Sequence, residues 1–289
     1  MVSNHRCRHR SLLLLAAGLS LKLSMLGLNT AAEAFPPPPP PPNAGPPITG
    51  PRTRLKGYWV GRQPVSPSLK IVVMAGHADS QGMNGAGTPG AAVDLRGAAP
   101  MDPRMRDELY WNRRIRDAVA VMSQQRDLNV TTYDPGALSI ANADDPRTNW
   151  SVARRRSQKG DYILEIHFDA YSPHGYGSGL IPALNRSLNT VDENLAISFG
   201  RFPRLFRGGL GGPRRGISIL EIGMLEGKLE TNLRNPKTRE ATIQAIALRI
   251  TNALELGVGR KEKKPSNPPP GEVDSAPPTS NPQANSEVE

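Results

Sequence analysis

Cysteine, histidine and long apolar runs are all scarce in this chain, and each scarcity removes a class of chemistry. Among 289 residues there is one cysteine, Cys7. Past it, no thiol is left to form a disulfide, attack a carbonyl or bind a metal through sulfur. Any zinc must then be held by His, Asp or Glu, the ligand types of catalytic rather than structural sites. No apolar stretch reaches the roughly 20 residues that span a bilayer comfortably, and no internal repeat marks a stacked array. Acids are missing altogether from residues 35–68. Of five histidines, three lie beyond the N-terminal region: His77, His167 and His174.

What is present divides the sequence into four parts. In residues 1–34, Arg6, Arg8 and Arg10 precede the apolar stretch Leu12 to Leu21, and Ala32-Glu33-Ala34 resembles a small-x-small cleavage site. Together these read as an export signal. Lys22 interrupts the apolar stretch, so an uncleaved anchor is the alternative; membrane contact is expected only through that leader. Residues 35–68 read as a Pro-rich basic linker. Pro36 to Pro42 form a polyproline II spacer, and Arg52, Arg54, Lys56 and Arg62 make an arm that either touches an anionic polymer or membrane surface or serves solubility and extension. Residues 260–289, with almost no large apolar side chains, read as a disordered tail. The globular part is 69–259, a normal single-domain size. The formal net charge is +10, but the leader holds +3, the linker +4 and the tail −1, leaving +4 on the domain. A nucleic-acid binder shows a far more basic face, so nucleic acid is not expected as a partner.

Within the domain, strand and helix patterns alternate. Strands are predicted at 69–75, 129–134, 161–167, 178–183 and 217–223, and helices at 104–126, 149–158, 191–200 and 236–256. For the last helix, Asn235 is read as the cap and Pro236 as the first turn, with Ile243, Ala247, Ile250 and Leu254 at helical spacing. Such alternation predicts an α/β fold: a single domain with a mainly parallel twisted sheet covered by helices on both faces.

Two of the three histidines end apolar, β-branched runs. His77 closes Ile71-Val72-Val73-Met74-Ala75-Gly76, and His167 closes Tyr162-Ile163-Leu164-Glu165-Ile166. Ligands of open α/β sheets bind at the carboxyl edge of the strands. A third such strand, Ile217 to Gly223, carries Glu221. On the predicted helix from Arg104, Glu108 shares an inward stripe with Trp111 and Ile115, whereas Asp107 is turned about 100° away. A carboxylate on a buried face needs a partner; Asn112 at i+4 could supply a hydrogen bond, and a metal would serve better. The expected ligands are therefore His77, Glu108 and His167, with an open fourth position, the pattern of catalytic zinc. Glu221, with no obvious cationic neighbour in sequence except Arg214 or Arg215, is the candidate general base and proton donor.

The same residues carry a resemblance. Ile71 to His77, Glu108 with Asn112, Leu164-Glu165-Ile166-His167-Phe168-Asp169-Ala170 and Ile219-Leu220-Glu221-Ile222-Gly223-Met224-Leu225 are similar, in order, to the motifs of the zinc-dependent N-acetylmuramoyl-L-alanine amidases of the type 3 family. Trp150 to Arg154 falls where that family carries an Arg-containing helix. The resemblance spans about 69–256. It implies that His77, Glu108 and His167 bind one Zn2+ and that Glu221 is catalytic. The implied reaction is hydrolysis of the amide between muramic acid's lactyl group and L-alanine in peptidoglycan, by an exported, periplasmic or wall-associated enzyme. Peptidoglycan is the expected partner, with an activator protein of unspecified identity as a further possible one.

Departures from the family pattern leave choices open. His77 and Glu108 are 31 positions apart, a longer gap than the family's, and the Gly-rich excess within 78–103 reads as a rim or lid. That loop offers Asp79, Asp94 and Asp102, together with Asp107, as rival ligands. Asp169 either orients a ligand or faces water. His174 lies in a loop and either assists the site or is neutral. Arg201, Arg204, Arg207, Arg214 and Arg215, in a short Gly- and Arg-rich segment, either meet substrate carboxylates or form a solvated face. Two other functions fit the same residues: a non-catalytic wall-binding protein on this fold, and a zinc hydrolase of a different amide.

Overall fold

The computed structural model describes residues 48–260. The leader, the proline run and all but the first residue of the tail lie outside the described residues. Five strands form one sheet: β1 (Ile71–Ala75), β2 (Val130–Tyr133), β3 (Tyr162–Asp169), β4 (Gly179–Ile181) and β5 (Ile217–Met224). Their order is β2-β1-β3-β5-β4, parallel throughout except for β4, which runs antiparallel to β5 at the edge. The helices are α1 (Ala91–Asp94), α2 (Asp107–Gln124), α3 (Asn149–Ser157), α4 (Thr190–Phe199), α5 (Gly211–Arg214), α6 (Gly227–Arg234) and α7 (Arg239–Gly257). Among the described residues no helix is long and apolar enough to cross a membrane.

Strand parity sorts the core. Ile71, Val73, Leu164, Ile166, Leu220 and Ile222 point to one face, where Trp111 and Ile115 of α2, Leu195 of α4 and Ile246 and Ile250 of α7 cover them. Val72, Met74, Ile163, Ile217 and Ile219 point to the other, against Ala153 of α3 and Phe202. Helices on both faces are what a parallel sheet requires, because its strands are apolar on each side. Trp111 is fully buried, and removing such a ring costs roughly 3–5 kcal/mol.

Local chemistry sets the helix ends. Thr148 caps α3 by accepting from Ser151 N at 3.1 Å. Asn189 and Asp192 form a reciprocal capping box on α4. The sequence reading misplaces the start of α7. Asn235 follows the end of α6, where its Oδ1 accepts from Lys237 N at 3.0 Å, and α7 begins at Arg239. A proline just past a helix terminates it as readily as it opens the next, and the Leu229/Leu233 pair belongs to α6.

A second correction concerns residues 48–68, expected to be linker. Their backbone runs along the domain: Thr53 N donates to Ser178 O at 2.8 Å, and Thr190 N donates to Gln63 O at 3.0 Å. Trp59 Nε1 donates to Phe202 O at 2.8 Å, and Gly61 N to Glu193 Oε2 at 2.8 Å. A Cβ on Gly61 would lie 2.0 Å from Asn189 O, so only glycine permits the approach. Arg52 of the basic arm donates to Ile197 O at 2.7 Å, near the carboxyl end of α4, where a cation complements the helix dipole. The arm's charge is partly used within the domain.

Candidate functional site

The carboxyl edge of β1 and β3 brings the two histidines together. Register pairs Ala75 with Ile166 and His167 with Glu221. In parallel strands, paired residues share a face, so Glu165, His167 and Glu221 all point to the side opposite the larger core. His77 follows the end of β1 and takes a left-handed backbone conformation, φ 61°, which is uncommon for a non-glycine residue. Its ring meets that of His167 edge to face, with centroids 4.8 Å apart. A Cβ on Gly76 would stand 2.3 Å from the His167 ring; the residue before His77 can carry no side chain.

Glu108, in the first turn of α2, reaches between them. Its Oε1 lies 3.5 Å from His77 Nε2 and 3.2 Å from His167 Nδ1. The same oxygen accepts from Phe168 N at 3.3 Å, where the β3–β5 register shifts between His167 and Asp169. Oε2 accepts from Thr88 N at 2.7 Å. His77, Glu108 and His167 each offer a ligand atom, and these atoms all lie within 4.8 Å of one another. Two imidazole nitrogens and one carboxylate oxygen are a donor set suited to zinc, so these three residues could hold a metal ion.

The rival acids are occupied elsewhere. Asp79 Oδ2 accepts from Asn149 N at 2.7 Å, at the start of α3. Asp94 receives the Tyr171 hydroxyl, and Asp102 pairs with Arg104. Asp107 accepts from Met101 N at 2.7 Å and pairs with Arg234. It is fully buried, not turned outward as the helical phase suggested, because loop 95–106 folds back over it. Asn112 does not bond to Glu108. Its Nδ2 donates to Gly76 O at 3.2 Å, holding the turn that carries His77.

Sequence reasoning missed Glu165. Its Oε2 is 3.1 Å from His167 Nε2, and its Oε1 accepts from Asn149 Nδ2 at 2.7 Å. Asn149 also donates to Ala75 O at 2.9 Å. The signal was available: an acid two residues before His167, on the same face of an apolar strand, must find a partner when buried.

Electrostatics follow from this crowding. Burial pushes the Glu108 carboxyl up, but the two imidazoles and the Thr88 N–H more than offset it and hold it below its usual range. Burial lowers His77, with Glu108 opposing less strongly. For His167, burial also lowers, yet the hydrogen bonds to Glu108 and Glu165 raise it well above an ordinary imidazole. Glu221 is pushed up to about 8, chiefly by burial. Its Oε2 is shielded from solvent and meets no donor among the described residues. The alternative pairing with Arg214 or Arg215 does not form. Arg214 donates to Gly208 O and Gly209 O, and Arg215 lies over the Trp150 ring at 4.3 Å.

His77, Glu108, Glu165, His167 and Glu221 border one cavity of about 720 Å³. Met83, Asn84 and Gly87 of the long loop form one wall, so that loop is a rim. Trp150, Phe206 and Leu210 line the other side. His174 is exposed and does not border the cavity. Asp169 accepts from Ala170 N at 2.8 Å, Gly177 N at 3.0 Å and Tyr176 N, so it shapes the loop after β3 while half-buried at the cavity wall.

No protein-family model matches the sequence, and no curated protein matches it. Among solved structures, the chain is similar to the catalytic domain of CwlV, an N-acetylmuramoyl-L-alanine amidase from Bacillus (Paenibacillus) polymyxa var. colistinus. Identity is 17%, coverage 67% of this chain and 100% of that one, and TM-score 0.43. A putative N-acetylmuramoyl-L-alanine amidase from Neisseria meningitidis matches at 19% identity, covering 66% and 96%, with TM-score 0.41. The N-acetylmuramoyl-L-alanine amidase AmiC2 of Nostoc punctiforme matches at 13% identity, covering 68% and 100%, with TM-score 0.41.

Proposed function

We propose that this chain is a zinc-dependent amidohydrolase of peptidoglycan, cleaving the amide between the lactyl group of N-acetylmuramic acid and the L-alanine of the stem peptide. One observation carries the reading: a two-imidazole, one-carboxylate ligand set and an unpartnered glutamate oxygen border the same cavity. The substrate class comes from the sequence motifs around these residues, and residues 1–34 support action outside the cytoplasm, in the periplasm or wall.

His77, Glu108 and His167 would hold the ion. When bound, zinc supplies Lewis-acid chemistry, polarising the scissile carbonyl and making water a competent nucleophile near neutral pH. The chain's own residues do the rest. Glu221, at Oε2, accepts the proton lost by the attacking water and returns it to the amide nitrogen as the C–N bond breaks. In the metal-free protein burial raises the proton affinity of Glu221 to about 8, and a bound cation would lower it toward the range of a base that works at neutral pH. With a metal bound, Glu165 would accept from His167 Nε2–H and leave the Nδ1 lone pair free to ligate; without it, Nδ1–H can donate to Glu108. Thr88 N–H and Phe168 N–H fix the Glu108 carboxylate between the histidines.

Metal analysis of purified protein tests the first half of this reading. One zinc per chain is expected in the wild type and in Glu221→Gln, and little in His77→Ala or His167→Ala. Incubation with peptidoglycan tests the second half: stem peptide with a free L-alanine amino terminus should appear with wild type and not with Glu221→Gln. Zinc-loaded wild type that releases no peptide, and cannot be told from Glu221→Gln, would overturn the proposal.

A further inference from the structure

The cavity has one cationic side chain other than histidine on its wall, Arg207. Five arginines between Arg201 and Arg215 were candidates for reading substrate charge, and four have other engagements. Arg201 pairs with Glu193 and lies 4.8 Å over Trp59. Arg204 reaches the Arg186 carbonyl. Arg214 and Arg215 bind backbone carbonyls of their own turn. Arg207 makes no hydrogen bond and no ion pair among the described residues. Its guanidinium rests over Phe206 at 5.1 Å and Tyr176 at 5.8 Å.

Three further features set it apart. Arg207 is held at φ 51°, ψ 38°, a left-handed conformation that costs a non-glycine residue on the order of 1–3 kcal/mol. The Tyr176 ring that steadies it also carries Arg54, at 5.1 Å on the same ring. Two like charges therefore share one platform. The nearby acid, Asp169, attracts Arg207 but forms no ion pair with it among the described residues, and its oxygens accept from Ala170, Tyr176 and Gly177. A guanidinium stacked on aromatic rings keeps its donors in a flat fork, ready for a carboxylate.

We infer that Arg207 is a specificity-determining residue that binds a free carboxylate of the substrate's peptide. This rests on the peptidoglycan reading above. The uncleaved glycan offers no carboxylate at the scissile point, because the lactyl carboxyl is consumed in the amide. Negative charge therefore resides in the peptide, in its acidic side chain or its terminus. Arg207 lets the site distinguish free-acid peptides from amidated ones, which share shape and differ in charge.

The test uses two N-acetylmuramoyl peptides that differ only in whether the second residue is D-glutamate or its amide. Wild type should prefer the acid by about two- to fivefold in kcat/KM, mostly through KM, as expected of a charge pair at an exposed guanidinium. Arg207→Gln should erase the preference, Arg207→Lys should keep part of it, and Arg207→Glu should reverse it. The wild-type preference should shrink as salt is raised. Equal KM values for the two substrates in wild type, or a preference unchanged in Arg207→Gln, would overturn the inference. Equilibrium binding of both ligands to Glu221→Gln protein separates the two readings. Acid-selective binding that depends on Arg207, without hydrolysis by wild type, defeats the amidase reading alone. Hydrolysis without acid preference defeats only the role of Arg207.

Discussion

The two ends of the β3–β5 strand pair both bury carboxylates, and they treat them in opposite ways. At the amino end, Asp192 is fully buried and both its oxygens are engaged. Oδ1 accepts from Tyr162 OH at 2.9 Å, Arg186 at 2.8 Å and Ser218 OH at 3.1 Å; Oδ2 accepts from Arg186 at 2.6 Å and Asn189 N at 2.9 Å. A guanidinium neutralises the charge on the spot. At the carboxyl end, Glu108, Glu165 and Glu221 crowd two imidazoles, and among the described residues no Lys or Arg forms an ion pair with any of them. One end is electrostatically complete and holds the fold; the other is left to be completed by a cation. The contrast separates structural burial of charge from functional burial on the same two strands.

Substitutions at the two ends should therefore fail differently. The largest effect is expected from Glu221→Gln, which should lower hydrolysis by about a thousandfold, within the range of general acid–base catalysis, while zinc content by elemental analysis stays at wild-type level. Asp192→Ala should do the reverse. It strands Arg186 and should cost roughly 3–5 kcal/mol in chemical denaturation, yet leave the zinc affinity of the folded fraction unchanged. A loss of affinity there would dissolve the contrast. Glu165→Gln should weaken zinc binding by about 10–100-fold in chelator competition, as removal of a carboxylate behind a histidine ligand does, with a smaller loss for Gln than for Ala.

The last effect is read as a change of stability with pH. In metal-free protein the Glu221 carboxyl has its proton affinity raised from the usual 4.5 to about 8. The folded state then holds a proton the unfolded state has released, so stability falls as pH rises from about 4.5 toward about 8. Glu221→Gln removes this dependence. Its Tm should exceed that of metal-free wild type by several degrees at pH 8.5 and match it near pH 4.5. Identical profiles would show that Oε2 finds a partner in solution.

The strands and the longer helices were legible because each has a period and a length that leave one choice. β1, β3 and β5 fall within two residues of their predicted bounds, and Glu108 could be singled out by its phase against Trp111 and Ile115. What was illegible depended on partners distant in sequence. Residues 48–68 look like linker because many of their ties are backbone hydrogen bonds, and the side-chain ties of Arg52 and Trp59 go to carbonyls distant in sequence, which composition does not record. The four-residue α1 and α5 are too short to show a period. Helical phase turns Asp107 away from the buried stripe, yet a loop covers it. Among the arginines, sequence offered five equal candidates, and only the geometry showed which were already engaged.

The absence of a side chain at Gly76 reaches into how mutational data on this protein would look. Any larger residue there runs into the ring of His167, so a ligand-bearing loop would be dislodged without any ligand being altered. A saturation scan scored only for lost function would rank Gly76 beside the histidines themselves. The genetic footprint of the centre is wider than its chemistry, and a glycine marks where the two part.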